Sequence, residues 1–319
     1  GNSATTTKVY LKGYRFQNND TSYAGTTATD AWGGRSIIGN KVQKNKLTLT
    51  GGSATLNARG GMVENTTVPG TAGDAAQNKL ILNTGAAAAN AYGAEVKTKA
   101  GSAAENTAEI TDGTTANLYG ASLTAAGATG SATKSKANIS GGSVTGNVYG
   151  GHIADSAATG SVTGSEVNIS GGTVGGTIYA GYNAGAGDAK SGTVTITGGT
   201  MGDVYGGFTA GTGATTGNTV NLGSAADAVA SGTTIGTIYG GNKGDVYGGY
   251  TSGTGATTGN TVNLGDGSHA LASGTTINGV LYGGNKTTVT DNTLNVKTNA
   301  TAGNIAHFDK VKFDLNSTI

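Results

Sequence analysis

The sequence predicts an all-β protein, a parallel β-solenoid of about nine rungs. Three observations carry that reading. A short apolar–polar–apolar triplet recurs nine times, at intervals averaging about 31 residues. A second motif, apolar–Tyr–small–small, recurs with it. Glycine supplies 60 of 319 residues and hydrophobic residues only 35%, too little for a thick globular core but enough for a thin, long one.

The triplets are Leu47-Thr48-Leu49, Leu80-Ile81-Leu82, Ala108-Glu109-Ile110, Ala137-Asn138-Ile139, Val167-Asn168-Ile169, Val194-Thr195-Ile196, Val220-Asn221-Leu222, Val262-Asn263-Leu264 and Leu294-Asn295-Val296. Period-two alternation is the signature of a strand with one buried face. The flanking residues enter a core and the middle one points away. Glycines after many copies, such as Gly51-Gly52 and Gly198-Gly199, supply sharp corners.

The Tyr motif follows most of the triplets. Its copies include Val148-Tyr149-Gly150-Gly151, Ile178-Tyr179-Ala180-Gly181, Val204-Tyr205-Gly206-Gly207, Ile238-Tyr239-Gly240-Gly241, Val246-Tyr247-Gly248-Gly249 and Leu281-Tyr282-Gly283-Gly284. Alternation directs the aliphatic residue inward and Tyr outward. Loops of Ala, Gly, Ser and Thr absorb the differences in period. Residues 203–244 and 245–286 are a duplication, both carrying TGATTGNTVNLG; an added loop and a doubled Tyr-Gly-Gly motif lengthen that step.

A unit of about 31 residues with short strands and no helical pattern cannot bury its own apolar face. Stacking each strand on its equivalent one turn away solves this, and Asn and Thr ladders add cohesion along the stack. Solenoid ends need covering. Residues 1–45, with Tyr10, Tyr14, Phe16, Tyr23, Trp32, Arg15 and Arg35, read as an N-terminal cap or docking segment. Residues 46–302 are the solenoid. Residues 303–319, with the run HFDKVKFDL, read as C-terminal cap strands.

The GGT-V/M-x-G-x-V/I-YGG repeats, with the closing HFDKVKFDL, resemble the passenger regions of Gram-negative autotransporter adhesins. That resemblance implies a right-handed β-helix, secretion through the periplasm and display at the bacterial outer cell surface. The opening GNSATTTK has neither an initiator Met nor a basic-then-apolar leader. No translocator barrel or membrane-length apolar run is present, so the chain reads as a cleaved or excised passenger.

Composition narrows the function. The net charge of +1 leaves no basic excess for nucleic acid, and the absence of cysteine removes thiolate metal sites and cysteine nucleophiles. His152, His269 and His307 lack metal-ligand spacing and read as surface or turn residues. The 18 acidic residues are scattered, and Asp203 and Asp245 sit in equivalent turns. Gly211–Gly217 (GTGATTG) faintly suggests a dinucleotide loop but no helical pattern follows it, so it reads as a solenoid loop. No catalytic, cofactor-binding or metal residue is assigned.

The candidate surface is a tyrosine ladder, Tyr149, Tyr179, Tyr205, Tyr239, Tyr247 and Tyr282. Two readings are open for it: an exposed row that stacks on sugars or another fibre, or a row that stabilises its own sheet. The expectation is a non-enzymatic, extracellular structural or adhesive protein needing no cofactor. It would attach cell to cell or cell to host, as in a biofilm. Its partner would be a glycan or protein on another cell surface. The alternatives are a filament subunit joined to copies of itself end to end, and a β-helix enzyme degrading polysaccharide.

Overall fold

A computed structural model describes residues 16–25, 27–65, 72–223, 234–235, 246–252, 254–264, 276–284, 290–297 and 302–313. Among these residues there is no helix, and the strands stack in parallel into a solenoid.

One coil shows the plan. A short strand, Ala75–Ala76, turns through Gln77 at φ 55° into Asn78. The triplet strand, Lys79–Leu82, follows, with Leu80 and Leu82 buried and Ile81 half-buried outside. The long strand, Ala87–Val96, then runs back past the starting corner. The next coil repeats this as Ala103–Ala104, Thr107–Ile110 and Thr114–Leu123. Later coils break the long strand in two, as in Ser143–Val144 and Val148–Ile153.

All nine triplets lie in one ladder. Leu47 pairs with Leu80, Leu80 with Ala108, Ala108 with Ala137, and the row continues through Val167, Val194, Val220 and Val262 to Leu294. Val220 and Val262 are direct partners, so the lengthened step is one coil with an insertion. Tyr205 likewise pairs with Tyr247. The intervening Tyr239 lies outside the described residues.

The same ladders run into both terminal segments. Asp20–Ala24 pairs in parallel with Lys46–Thr50, and Thr27–Ser36 with Ser53–Val63. The strands Asp20–Ala24 and Thr27–Ser36, inside the segment read as a cap or docking segment, belong to the same ladders. At the other end Ala302–Ala306 and Lys310–Phe313 continue the same two ladders.

The cross-section holds two cores. The first gathers the triplet residues with Ala58, Leu118, Val148, Ile178 and Val204. The second gathers Val42, Val63, Val96, Leu123, Ile153 and Val162. Between them the walls touch. A Cβ placed on Gly150 would lie 2.6 Å from the Ala180 carbonyl oxygen and 2.7 Å from that of Glu166. One on Gly61 would lie 2.5 Å from Asn78 Cγ. The glycines after Tyr therefore answer to a close approach of backbone, not to a turn. Where the first of the pair is Ala180, the facing wall carries Gly192, whose own Cβ would lie 3.1 Å from that of Ala180. The extra methyl is matched by a missing side chain.

The facing wall holds a buried asparagine ladder. Asn78 Oδ1 accepts from the Asn45 backbone N–H (3.1 Å) and from Asn45 Nδ2 (2.9 Å), while Asn78 Nδ2 donates to the Val42 carbonyl (3.0 Å). Asn106 repeats these contacts on Asn78 at 2.9 and 3.0 Å. Ser135, Ser165 and Gly192 interrupt the row, and Asn218, Asn260 and Asn292 resume it. A buried amide that satisfies two strand-end groups per coil turns the corner without stranding backbone polar atoms.

Candidate functional site

The long strands bear two aromatic rows. The motif tyrosines form the first: Tyr92, Tyr119, Tyr149, Tyr179 and Tyr205 stack at centroid distances of 4.6, 4.8, 5.2 and 5.0 Å. These spacings follow the strand repeat. Three residues further along each strand lies the second row. His152, Tyr182, Phe208 and Tyr250 stack at 5.2, 5.0 and 5.0 Å.

The rows meet edge to face. Tyr179 contacts Tyr182 at 5.2 Å and 74°, and Tyr205 contacts Phe208 at 5.6 Å and 90°. On a straight strand, positions i and i+3 face opposite sides. Here the pinch at the Gly pair bends the wall so that both point outward and converge. The outer surface is thus re-entrant along the solenoid, a groove whose two aromatic rows meet and fill it.

Packing decides what the rings can offer. Tyr92, Tyr149 and Tyr205 are only 8, 8 and 7% exposed. Their faces are covered by the rings above and below, which leaves edges and hydroxyls toward the groove. A sugar stacking on a face of this row would have to displace a neighbouring tyrosine. Burial pushes the Tyr92, Tyr119 and Tyr179 hydroxyls well above their ordinary range, so they stay protonated donors. Burial also raises Tyr149, opposed by the hydrogen bond that Asn147 Nδ2 donates to its oxygen at 3.0 Å. Tyr182, in the half-buried second row, is likewise raised by burial.

The second row was hidden in the sequence because its residue type changes at every coil. His152, expected at a surface or turn, is packed among Tyr119, Tyr149 and Tyr182 at 5.2, 4.5 and 5.2 Å, with Nδ1 2.9 Å from Ser122 Oγ. Burial pushes its imidazole down to about 3. His307 does stand at a turn, with φ 57° and Nδ1 2.7 Å from the Gly284 carbonyl oxygen, its ring 5.4 Å from Tyr282. His269 and Asp245 lie outside the described residues. Among the described residues no three His, Asp or Glu side chains stand together as a metal site.

Towards the N-terminal end the same rows become charged. In register, Tyr92 follows Arg59 and Trp32, and Glu95 follows Met62 and Arg35. Arg59, 3% exposed, donates to Glu95 at 2.5 Å and to Asp30 at 2.8 Å, and its guanidinium lies 5.4 Å from the Tyr92 centroid. Burial raises the Asp30 carboxyl, but hydrogen bonds from Asn57 and Arg59 outweigh it and hold it below the usual range. Arg35 pairs with Glu64 and lies over Trp32. The two carboxylates that converge in this part of the groove, Asp30 and Glu95, both converge on Arg59.

The ends of the ladder differ. Tyr247 is placed by backbone register alone, and Tyr282 follows it in the same ladder, half-buried. Compared with family models, curated proteins and solved structures, the chain matches none.

Proposed function

We propose that this protein is an extracellular structural and adhesive rod of the bacterial surface, of the kind the autotransporter passengers provide, and that the aromatic groove is its contact face. The observation that carries this reading is the continuous in-register stack with a double aromatic row along one side. The stack is a rigid spacer: each coil is held by ladders of hydrogen bonds and needs no disulfide. The groove presents aromatic rings on successive rungs from His152 to Tyr250, which suits a partner that is itself extended, such as a surface glycan or a fibrous protein. Tyr182 and Tyr250 on the half-buried flank are the rings a partner reaches first. Attachment requires no cofactor and no catalytic residue.

The test is adhesion of chain-coated beads to bacterial cells, with a glycan array read in parallel. Coated beads retain cells, and Tyr182→Ser combined with Tyr250→Ser reduces retention at a temperature where circular dichroism shows the variant still folded. Retention no greater than on blank beads, together with an empty array, would overturn the proposal.

A further inference from the structure

A polar row runs beside the motif tyrosines, two residues earlier on each strand and therefore on the same face. Asp30, Asn57, Asn90, Asn117, Asn147 and Thr177 occupy it on successive coils. The asparagines form an amide ladder. Asn57 Nδ2 donates to Asp30 Oδ1 at 3.0 Å, Asn90 Nδ2 to Asn57 Oδ1 at 3.3 Å, and Asn117 Nδ2 to Asn90 Oδ1 at 3.0 Å. Asn117 Oδ1 accepts from the Asn147 backbone N–H at 3.0 Å, and Asn147 Nδ2 donates to the Tyr149 hydroxyl at 3.0 Å. A carboxamide has two N–H donors and two acceptor lone pairs. Counted among the described residues, these bonds leave each asparagine one N–H and one lone pair. All four asparagines are half-buried and reach water. Ala89, Ala116 and Gly146 stand just before Asn90, Asn117 and Asn147, so no long side chain from those positions overhangs the row.

We propose that this row binds an uncharged, unbranched glycan of equatorially linked pyranose rings, lying along the solenoid axis with one ring per coil. Period selects the ligand. Successive coils lie about 4.8 Å apart, close to the advance of such a chain per ring, so each ring meets one asparagine. An extended polypeptide advances about 3.3 Å per residue and falls out of step within a few coils. Hydrogen bonding selects it as well. Sugar hydroxyls both donate and accept, and the row presents one donor and one acceptor per coil. The tyrosine edges beside the row supply apolar contact for the C–H groups of the rings. Charge selects an uncharged chain: the row is neutral from Asn57 to Thr177 and ends at the Asp30 carboxylate, which repels anionic sugars. Asn138 and Asn168 form a comparable outer pair on the triplet strands, but beside the Lys136–Glu166 ion pair instead of a tyrosine. The asparagine row precedes the motif tyrosine on each strand, whereas Tyr182 and Tyr250 follow it on later coils. The glycan strip is thus separate from the contact face proposed above and does not depend on the adhesive reading.

The experiment is isothermal titration of the full chain with β-1,4-linked gluco-oligosaccharides of increasing length, with circular dichroism confirming the fold of each variant. The hexasaccharide binds, and affinity rises from the disaccharide to the tetrasaccharide as successive amides are engaged. An α-1,6-linked oligomer of equal length, whose advance differs, binds more weakly, and so does a β-1,4-linked uronate oligomer. Asn90→Val with Asn117→Val removes both amides and keeps a strand-forming shape, and it lowers affinity about tenfold or more. Asn90→Thr with Asn117→Thr, which copies Thr177 of the same row, gives a smaller loss in the same direction. Asn138→Val with Asn168→Val leaves binding unchanged, and so does Tyr182→Ser with Tyr250→Ser. Absence of binding by the hexasaccharide overturns the proposal. So does affinity independent of chain length, equal binding of the α-1,6-linked or the uronate oligomer, a loss shared equally by the two valine pairs, or binding abolished by the Tyr182→Ser and Tyr250→Ser pair.

Discussion

Replacing Asn78 by Ala tests how the corners of the solenoid are held. Asn78 and Asn45 are each 1% exposed and Val42 is 0% exposed. The substitution removes the acceptor of the Asn45 backbone N–H and the donor to the Val42 carbonyl. Each buried group deprived of its partner costs about 1–3 kcal/mol, so the change should destabilise the fold by about 2–6 kcal/mol. The chain contains its own control. At the equivalent position of a later coil Ser135 Oγ accepts from the Asn106 N–H at 3.3 Å, doing half of the asparagine's work. Asn78→Ser should therefore cost roughly half as much as Asn78→Ala. Urea unfolding followed by far-UV circular dichroism measures both. Equal losses for the two variants, or a loss under about 1 kcal/mol for Ala, would refute the reasoning, since surface substitutions alone reach about 0.5 kcal/mol.

Three further outcomes are expected. Gly150→Ala drives a Cβ to 2.6 and 2.7 Å from two backbone carbonyls and should cost about 1–3 kcal/mol; Gly181→Ala, whose nearest neighbour is Val162 Cγ1 at 3.1 Å, should cost clearly less in the same melt. His152 is held neutral when folded, its pKa lowered to about 3 from 6.5. The unfolded chain therefore binds the proton first, and stability falls as pH drops below 6.5; His152→Phe, copying Phe208, should flatten that slope between pH 6.5 and 4, and an unchanged slope would count against it. Thr215 Oγ1 is buried without a hydrogen-bond partner in a position where Val162 stands two coils earlier, so Thr215→Val should stabilise the fold by up to about 1 kcal/mol in thermal unfolding.

Much of the architecture was legible because a triplet strand repeats its own alternation. Val167 and Ile169 announce a buried face without help from their neighbours. The short strands were not legible: Ala75–Ala76 is two residues long, and no period can be read from two residues. The asparagine ladder had a signal that alternation does not capture. Asn45, Asn78, Asn106, Asn218, Asn260 and Asn292 each stand two residues before a triplet. The asparagines that alternation does single out are outer ones, such as Asn138 and Asn168, which also bond to each other at 3.0 Å. The first coil was obscured by its composition, since Asp20–Ala24 carries no aliphatic pair and relies on Tyr23 to close the core.

The groove was half legible. The motif tyrosines were found because their Gly neighbours repeat, and those glycines repeat because two walls touch there. Their use as one flank of a groove depends on a bend that only the facing wall explains. The opposite flank, His152, Tyr182, Phe208 and Tyr250, keeps a constant offset of three residues from the tyrosine but no constant identity. Position along the coil, rather than motif, defines it.

In-register stacking is the claim on which all the rest stands, and disulfide trapping tests it most directly in a chain that has no cysteine of its own. Asn138 and Asn168 are register partners on the outer face. Adjacent strands lie about 4.8 Å apart, within the span a disulfide bridges. Asn138→Cys with Asn168→Cys should oxidise rapidly and completely in the folded protein. Asn138→Cys with Thr195→Cys, two coils apart, should remain reduced. Efficient coupling of the second pair, or failure of the first, would contradict the account.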